Sequence, residues 1–185
     1  MLNDIYADAQ DRMQKALENL ERDFKRLRTG RASVALVDGL RVEYYGTSTP
    51  LNQLATLTIP EPRTIMIQPW DSTIINDVEK AIMKSELGLT PMNDGKVIRI
   101  SIPPLTAERR KDLVKLSRKM SEETKVAVRN IRRDIIEMIK ELKKEKEISE
   151  DEQFRAQEEA QKITDEFIKK VDAVFSIKEK EILEI

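Results

Sequence analysis

The sequence predicts an α+β protein, an elongated three-helix bundle carrying a small inserted β/α/β domain. Three observations lead there. Long segments at both ends place apolar residues three and four apart with no Pro or Gly among them, the period of amphipathic helices. All seven Pro and four of the five Gly fall between residues 31 and 104, where short β-prone runs replace that period. Charged residues reach 36% and aromatics only 4%, which suits charged helices around narrow seams better than one large core.

The first helix is expected over 4–28, with Ile5, Ala9, Met13, Ala16, Leu17, Leu20, Phe24 and Leu27 on its apolar face and Gly30 as its stop. The next region, 31–104, offers strands at Leu40 to Tyr45, Ala55 to Ile59, Thr64 to Gln68 and Val97 to Ile102, and one helix from Thr73 to Leu87. A second long helix should begin after Pro103-Pro104 with Thr106 as N-cap. Its apolar stripe reads Leu113, Leu116, Met120, Thr124, Ala127, Ile131, Ile135, Met138, Leu142. At about 1.5 Å per residue it forms a rod of about 60 Å. The third helix opens at Ser149 with Glu152 in a capping box, and its stripe is Ala156, Ala160, Ile163, Phe167, Val171 and Val174.

The domains follow: residues 1–30 with 105–185 as the bundle, and 31–104 as the insertion. An insertion has two covalent connections to its host, here Thr29-Gly30-Arg31 and Ile102-Pro103-Pro104-Leu105. Two short tethers permit bending but limit tumbling; Gly30 adds dihedral freedom and the prolines stiffen the return. A jointed, two-arm molecule is expected.

Function classes fall away on two counts. With no Cys there is no disulfide, thiol nucleophile or thiolate metal site; with no His there is no imidazole base and no His-ligated zinc. Catalysis is not expected, and neither a metal nor a cofactor. The N-terminus shows no targeting pattern, and no apolar run approaches the ~20 residues of a membrane span. The expectation is a cytosolic monomer without membrane contact.

Net charge is −1, yet its distribution is uneven. Residues 105–146 hold fourteen basic and eight acidic residues, whereas 147–185 hold six and twelve. Some of this is pairing between neighbouring helices, each exposed pair worth at most about 1 kcal/mol. On the second long helix, however, Lys111, Lys115, Arg118, Lys125, Arg129 and Arg132 follow steps that make one stripe, broken once by Glu122. Arg129, Arg132 and Arg133 are its densest point. A solvated face is the plain alternative. Against it, a linear one-sign ridge fits a phosphate backbone, where Lys and Arg gain by counterion release and guanidinium groups grip phosphate bidentately. Other features carry no site. Gly88 to Val97 lacks the spacing of a phosphate loop. Glu150-Asp151-Glu152 complements a helix dipole without an ion. Tyr44, Tyr45 and Trp70 read as core aromatics with polar tips, although Trp70 beside Asp71 could be exposed, and Met13, Met120 and Met138 read as gap-fillers.

Several runs also resemble a known family. They include Leu27-Arg28-Thr29-Gly30-Arg31-Ala32-Ser33, Val42-Glu43-Tyr44-Tyr45-Gly46-Thr47, Thr49-Pro50-Leu51 and Pro103-Pro104-Leu105-Thr106. Val126-Ala127-Val128-Arg129-Asn130-Ile131-Arg132-Arg133-Asp134 and Gln161-Lys162-Ile163-Thr164-Asp165 continue the series. In this order and spacing the chain resembles bacterial ribosome recycling factor along nearly its whole length. The resemblance implies an L-shaped two-domain molecule with flexibly joined arms. It implies binding to the large ribosomal subunit and its RNA, with elongation factor G and GTP then driving subunit separation; the GTPase chemistry belongs to that partner. It assigns ribosomal RNA contact to Arg129, Arg132 and Arg133, and the hinge to Thr29-Gly30-Arg31 and Pro103-Pro104-Leu105. The competing class is a protein-interaction scaffold with no RNA contact, which co-sedimentation with large subunits separates.

Overall fold

The computed structural model describes residues 1–184; Ile185, placed by the sequence reading in the bundle, lies outside the described residues. Four helices, α1 (Leu2–Arg26), α2 (Ile75–Lys84), α3 (Ala107–Lys144) and α4 (Glu150–Leu183), accompany six strands. The strands are β1 (Arg41–Tyr44), β2 (Thr47–Pro50), β3 (Ala55–Glu61), β4 (Thr64–Pro69), β5 (Pro91–Asn93) and β6 (Ile98–Ser101). The chain divides into two compact units, Met1–Leu27 with Lys111–Glu184, and Arg28–Arg110.

The first unit is built by α1, α4 and most of α3. One end of its seam packs Met13, Ile135, Ile139, Ile163 and Phe167 together, and a second cluster gathers Leu17, Leu20, Phe24 and Val171. Helix boundaries follow local chemistry. Thr106 Oγ1 accepts from the Arg109 N–H at 3.1 Å and starts α3. Ser149 and Glu152 form a reciprocal capping box at α4. Helix α3 ends in a Schellman motif: the Glu147 N–H donates to the Leu142 carbonyl and the Lys146 N–H to that of Lys143, with Lys146 at φ 61°. The first helix stops earlier than expected. Leu27 is already extended, so Gly30 does not cap α1; it occupies a left-handed position (φ 80°) farther along the connection.

The core face of α3 also differs from the expected stripe. Leu113, Ile131 and Ile135 are buried as read, but Ser117, Ser121, Val128 and Ile139 complete the row, whereas Leu116 and Met138 are exposed. In this stretch of the bundle α1 and α4 supply large rings, Phe24 and Phe175, next to Met120. The facing side of α3 must then be small. Ser117 is tolerated because its hydroxyl donates to the Leu113 carbonyl at 2.8 Å.

In the second unit β1 and β2 form a hairpin, and the remaining strands form an antiparallel sheet in the order β3-β4-β6-β5. Ile65 pairs with Ile100 and Ile67 with Ile98 on the buried face, covered by Ile75, Val78 and Ile82 of α2. Strands β2 and β5 were not expected from the sequence. Each carries a proline, tolerable because β2 has one partner and β5 is an edge. Helix α2 is shorter than read: Ser72–Ile74 form a 3-10 turn, and the helix ends before Ser85. Of the aromatics, Tyr44 packs partly against the core and Trp70 takes the exposed alternative, 67% exposed, but Tyr45 needs correction: at 84% exposed it is not a core residue.

Candidate nucleic-acid interface

Each residue of an α-helix turns about 100° from the last, so the observed core row fixes where every cation of α3 points. Lys111 and Arg129 lie about 120° from the centre of that row, and Lys115 and Arg133 about 160°. All four are exposed, and none forms a salt bridge among the described residues. They make two pairs, each spaced by one turn, with centres about 27 Å apart along the rod. Lys119, one turn beyond Lys115 and exposed, widens the first pair. The sequence reading missed it by following a single line of side chains; its i+4 spacing from Lys115 was the available signal.

The other three predicted residues lie on the flank toward α4, because the core row is rotated from the one read in the sequence. Lys125 is the extreme case. Its side chain is only 14% exposed, and it bridges Asp172 on α4 and Glu122 at 3.3 Å. The Asp172 contact, supported by Glu122, holds its ammonium above the ordinary lysine value against the opposing effect of burial. Arg118 remains largely exposed, with one contact to Glu179 at 3.5 Å and its guanidinium 5.4 Å from the Phe175 ring centre. Arg132 is half-buried and donates to Gln161 Oε1 at 2.8 Å. Gln161 in turn donates to Asp165 at 2.8 Å, which fixes the amide orientation. The Gln161 bond occupies one edge of the Arg132 fork and aligns the rest of it. The predicted stripe thus resolves into an outward row, an oriented arginine and an internally neutralised lysine.

The second predicted set lies within the Arg28–Arg110 unit. Thr29 and Gly30 are buried, Arg31, Pro103 and Pro104 are exposed, and Leu105 is half-buried. The two connections touch. A Cβ on Gly30 would stand 3.1 Å from Leu105 Cγ, so both the positive φ and the close approach require glycine. Both connections are also fastened to one turn: the Ala32 N–H donates to the Pro62 carbonyl at 2.8 Å and the Ile102 N–H to the Arg63 carbonyl at 2.7 Å. Strand order ends at those bonds.

Among the described residues no His/Cys/Asp/Glu grouping could hold a metal ion, and no helix is long and apolar enough to cross a membrane. The family profile for ribosome recycling factor matches residues 20–183. The ribosome-recycling factor of Syntrophobacter fumaroxidans is 77% identical over 185 residues, covering 100% of both chains. That of Desulfatibacillum aliphaticivorans is 59% identical, again with 100% of both covered. A solution structure of ribosome recycling factor aligns with TM-score 0.79 at 47% identity, covering 100% of this chain and 98% of its own. A chain from models of the Thermus thermophilus factor and Escherichia coli elongation factor G bound to the E. coli post-termination complex aligns with TM-score 0.67. It is 54% identical, with 99% of each chain covered. With a family profile spanning most of the sequence and full-length relatives far above the level of chance similarity, the chain belongs to the ribosome recycling factor family.

Proposed function

We propose that this chain binds the post-termination ribosome on its large subunit and, with elongation factor G and GTP, promotes separation of the subunits and release from mRNA. The observation that carries this is the end-to-end similarity to a chain in the post-termination assembly with elongation factor G. The setting is the cytoplasm, and the chain acts as a monomer. It performs no bond chemistry; GTP is hydrolysed by the partner.

The bundle is the RNA-binding arm. Lys111, Lys115, Arg129 and Arg133 meet phosphate directly, Arg132 contributes a fork oriented by Gln161, and Arg118 adds a flanking charge. Lys125 acts differently, locking α3 to α4 through Asp172. The small unit is the part that is moved. Its joint is Thr29-Gly30-Arg31 with Pro103-Pro104-Leu105, where the chain leaves the bonds to the Pro62–Arg63 turn. Long helices matter here because a rod of ~57 Å converts a small rotation into a shift of several Å at its end.

The test is co-sedimentation with purified large subunits across a salt series, combined with a light-scattering assay of subunit splitting with elongation factor G and GTP. Salt-sensitive binding with factor-dependent splitting is expected. Salt-independent binding would favour a protein-docking scaffold, and splitting without GTP would remove the division of labour.

A further inference from the structure

The four-stranded sheet has one face covered by α2 and one open face, and strand register fixes what the open face presents. Thr58, Met66, Arg99 and Met92 are direct partners and form one row across β3, β4, β6 and β5. Gln68 and Trp70 continue the file of Met66, since every second residue points to the same side. The Trp70 backbone N–H prolongs the ladder to the Leu54 carbonyl at 3.1 Å, and its indole N–H donates to Thr56 Oγ1 at 2.9 Å. Those two bonds hold the ring on this face. Met92 is 71% exposed; Trp70, Thr58, Gln68 and Arg99 are exposed as well. No hydrophobic cluster among the described residues includes Met66, Met92 or Trp70.

In a chain that is 36% charged, this face is nearly neutral. Its row holds one ion, Arg99, which Asp94 engages at 3.1 Å. Glu61 and Arg63 border one end of the strands, and Asp71, Asp94 and Lys96 the other. With Arg99, these three acids and three bases cancel. The charged cleft of Arg41, Lys80 and Lys84 with Glu43 and Asp77 is walled by α2, on the covered side. A phosphate chain gains nothing on the open face. The centre of a protein interface, by contrast, is depleted of charge and enriched in Trp and Met. Position adds a mechanical argument: β3 and β4 meet at Pro62–Arg63, whose carbonyls hold both connections, so a load on this face reaches them along paired strands. Resting on the reading that elongation factor G moves the small unit, we propose that this partner bears on the open sheet face. It does so through an equally uncharged surface of its own, centred on Met66, Met92 and Trp70.

Thr58 and Met92 are exposed, so each accepts a charged side chain without disturbing the core. The full chain carrying Met92→Glu, Met92→Lys, Thr58→Glu or Thr58→Lys is assayed for subunit splitting against increasing elongation factor G with GTP, and for co-sedimentation with large subunits. Either sign of charge should raise the half-saturating concentration of the factor about tenfold, because an unpaired charge is desolvated on contact. Co-sedimentation should stay that of the parent chain. Unchanged half-saturation in all four variants, or opposite effects of Glu and Lys at one position, would overturn the proposal. So would weakened co-sedimentation at unchanged half-saturation, which would make the face a ribosome contact. A dimeric mass of the parent chain, abolished by Met92→Glu, would overturn it in favour of self-association. If the parent chain itself split no subunits with the factor and GTP, the functional reading would fail and this proposal with it.

Discussion

Replacing Arg129 and Arg133 together by Ala tests the arginine end of the outward row of α3. Both side chains are exposed and neither is engaged by an acid among the described residues, so the substitution leaves the bundle seam untouched. Each phosphate contact contributes about 0.7–0.9 to the slope of log affinity against log salt, depending on whether the nucleic acid is single- or double-stranded. Losing two lowers the slope by about 1.4–1.8, which over a fourfold salt range changes the affinity ratio by about tenfold. Affinity for purified large subunits is measured by co-sedimentation between low and moderate salt. The control is Lys125→Ala, at the ion-paired position. It should leave the slope within error but lower stability by about 1 kcal/mol through loss of the bridges to Asp172 and Glu122. If Lys125→Ala flattened the salt dependence as much as the double variant, the division into outward and neutralised cations would be wrong.

Three other outcomes follow from local geometry. Gly30→Ala places a Cβ against Leu105 at a disfavoured φ and should cost about 1–2 kcal/mol while slowing splitting more than it weakens binding. Equal losses in both assays would exclude the joint from the mechanism. Glu152, its carboxylate held below the ordinary range chiefly by the Ser149 N–H and hydroxyl, contributes stability that is complete above its unfolded value of about 4.3. That contribution fades as pH falls through the lower folded value, and Glu152→Gln should flatten the melting temperature over that acid range. Ser121→Leu adds apolar volume at a site only 2% exposed and should destabilise by about 1–3 kcal/mol in a denaturant titration, a loss the stripe read from sequence would not predict.

What the sequence disclosed depended on how local the cause was. Thr106 and Ser149 announce helix starts because their hydroxyls bond to N–H groups three residues away. Ile65, Ile67, Ile98 and Ile100 alternate as a half-covered sheet requires. The register of α3 was harder, since whether Leu116 or Ser117 is buried depends on side chains that α1 and α4 supply, not on the spacing within α3. The status of Lys125 was hidden for the same reason: Asp172 belongs to α4. Proline concealed β2 and β5, and Tyr45 looked like a core aromatic because strand and turn meet in that tripeptide.

Fastening both connections to adjacent carbonyls of Pro62 and Arg63 acts like a buckle closing two straps on one bar. Tension arriving through either strap is borne at the same corner of the lobe, and the isoleucine-lined sheet behind it need not shear. On the proposed mechanism the lobe is then carried as an undeformed tile, with the work of the partner concentrated in a handful of peptide units instead of dissipated across its interior.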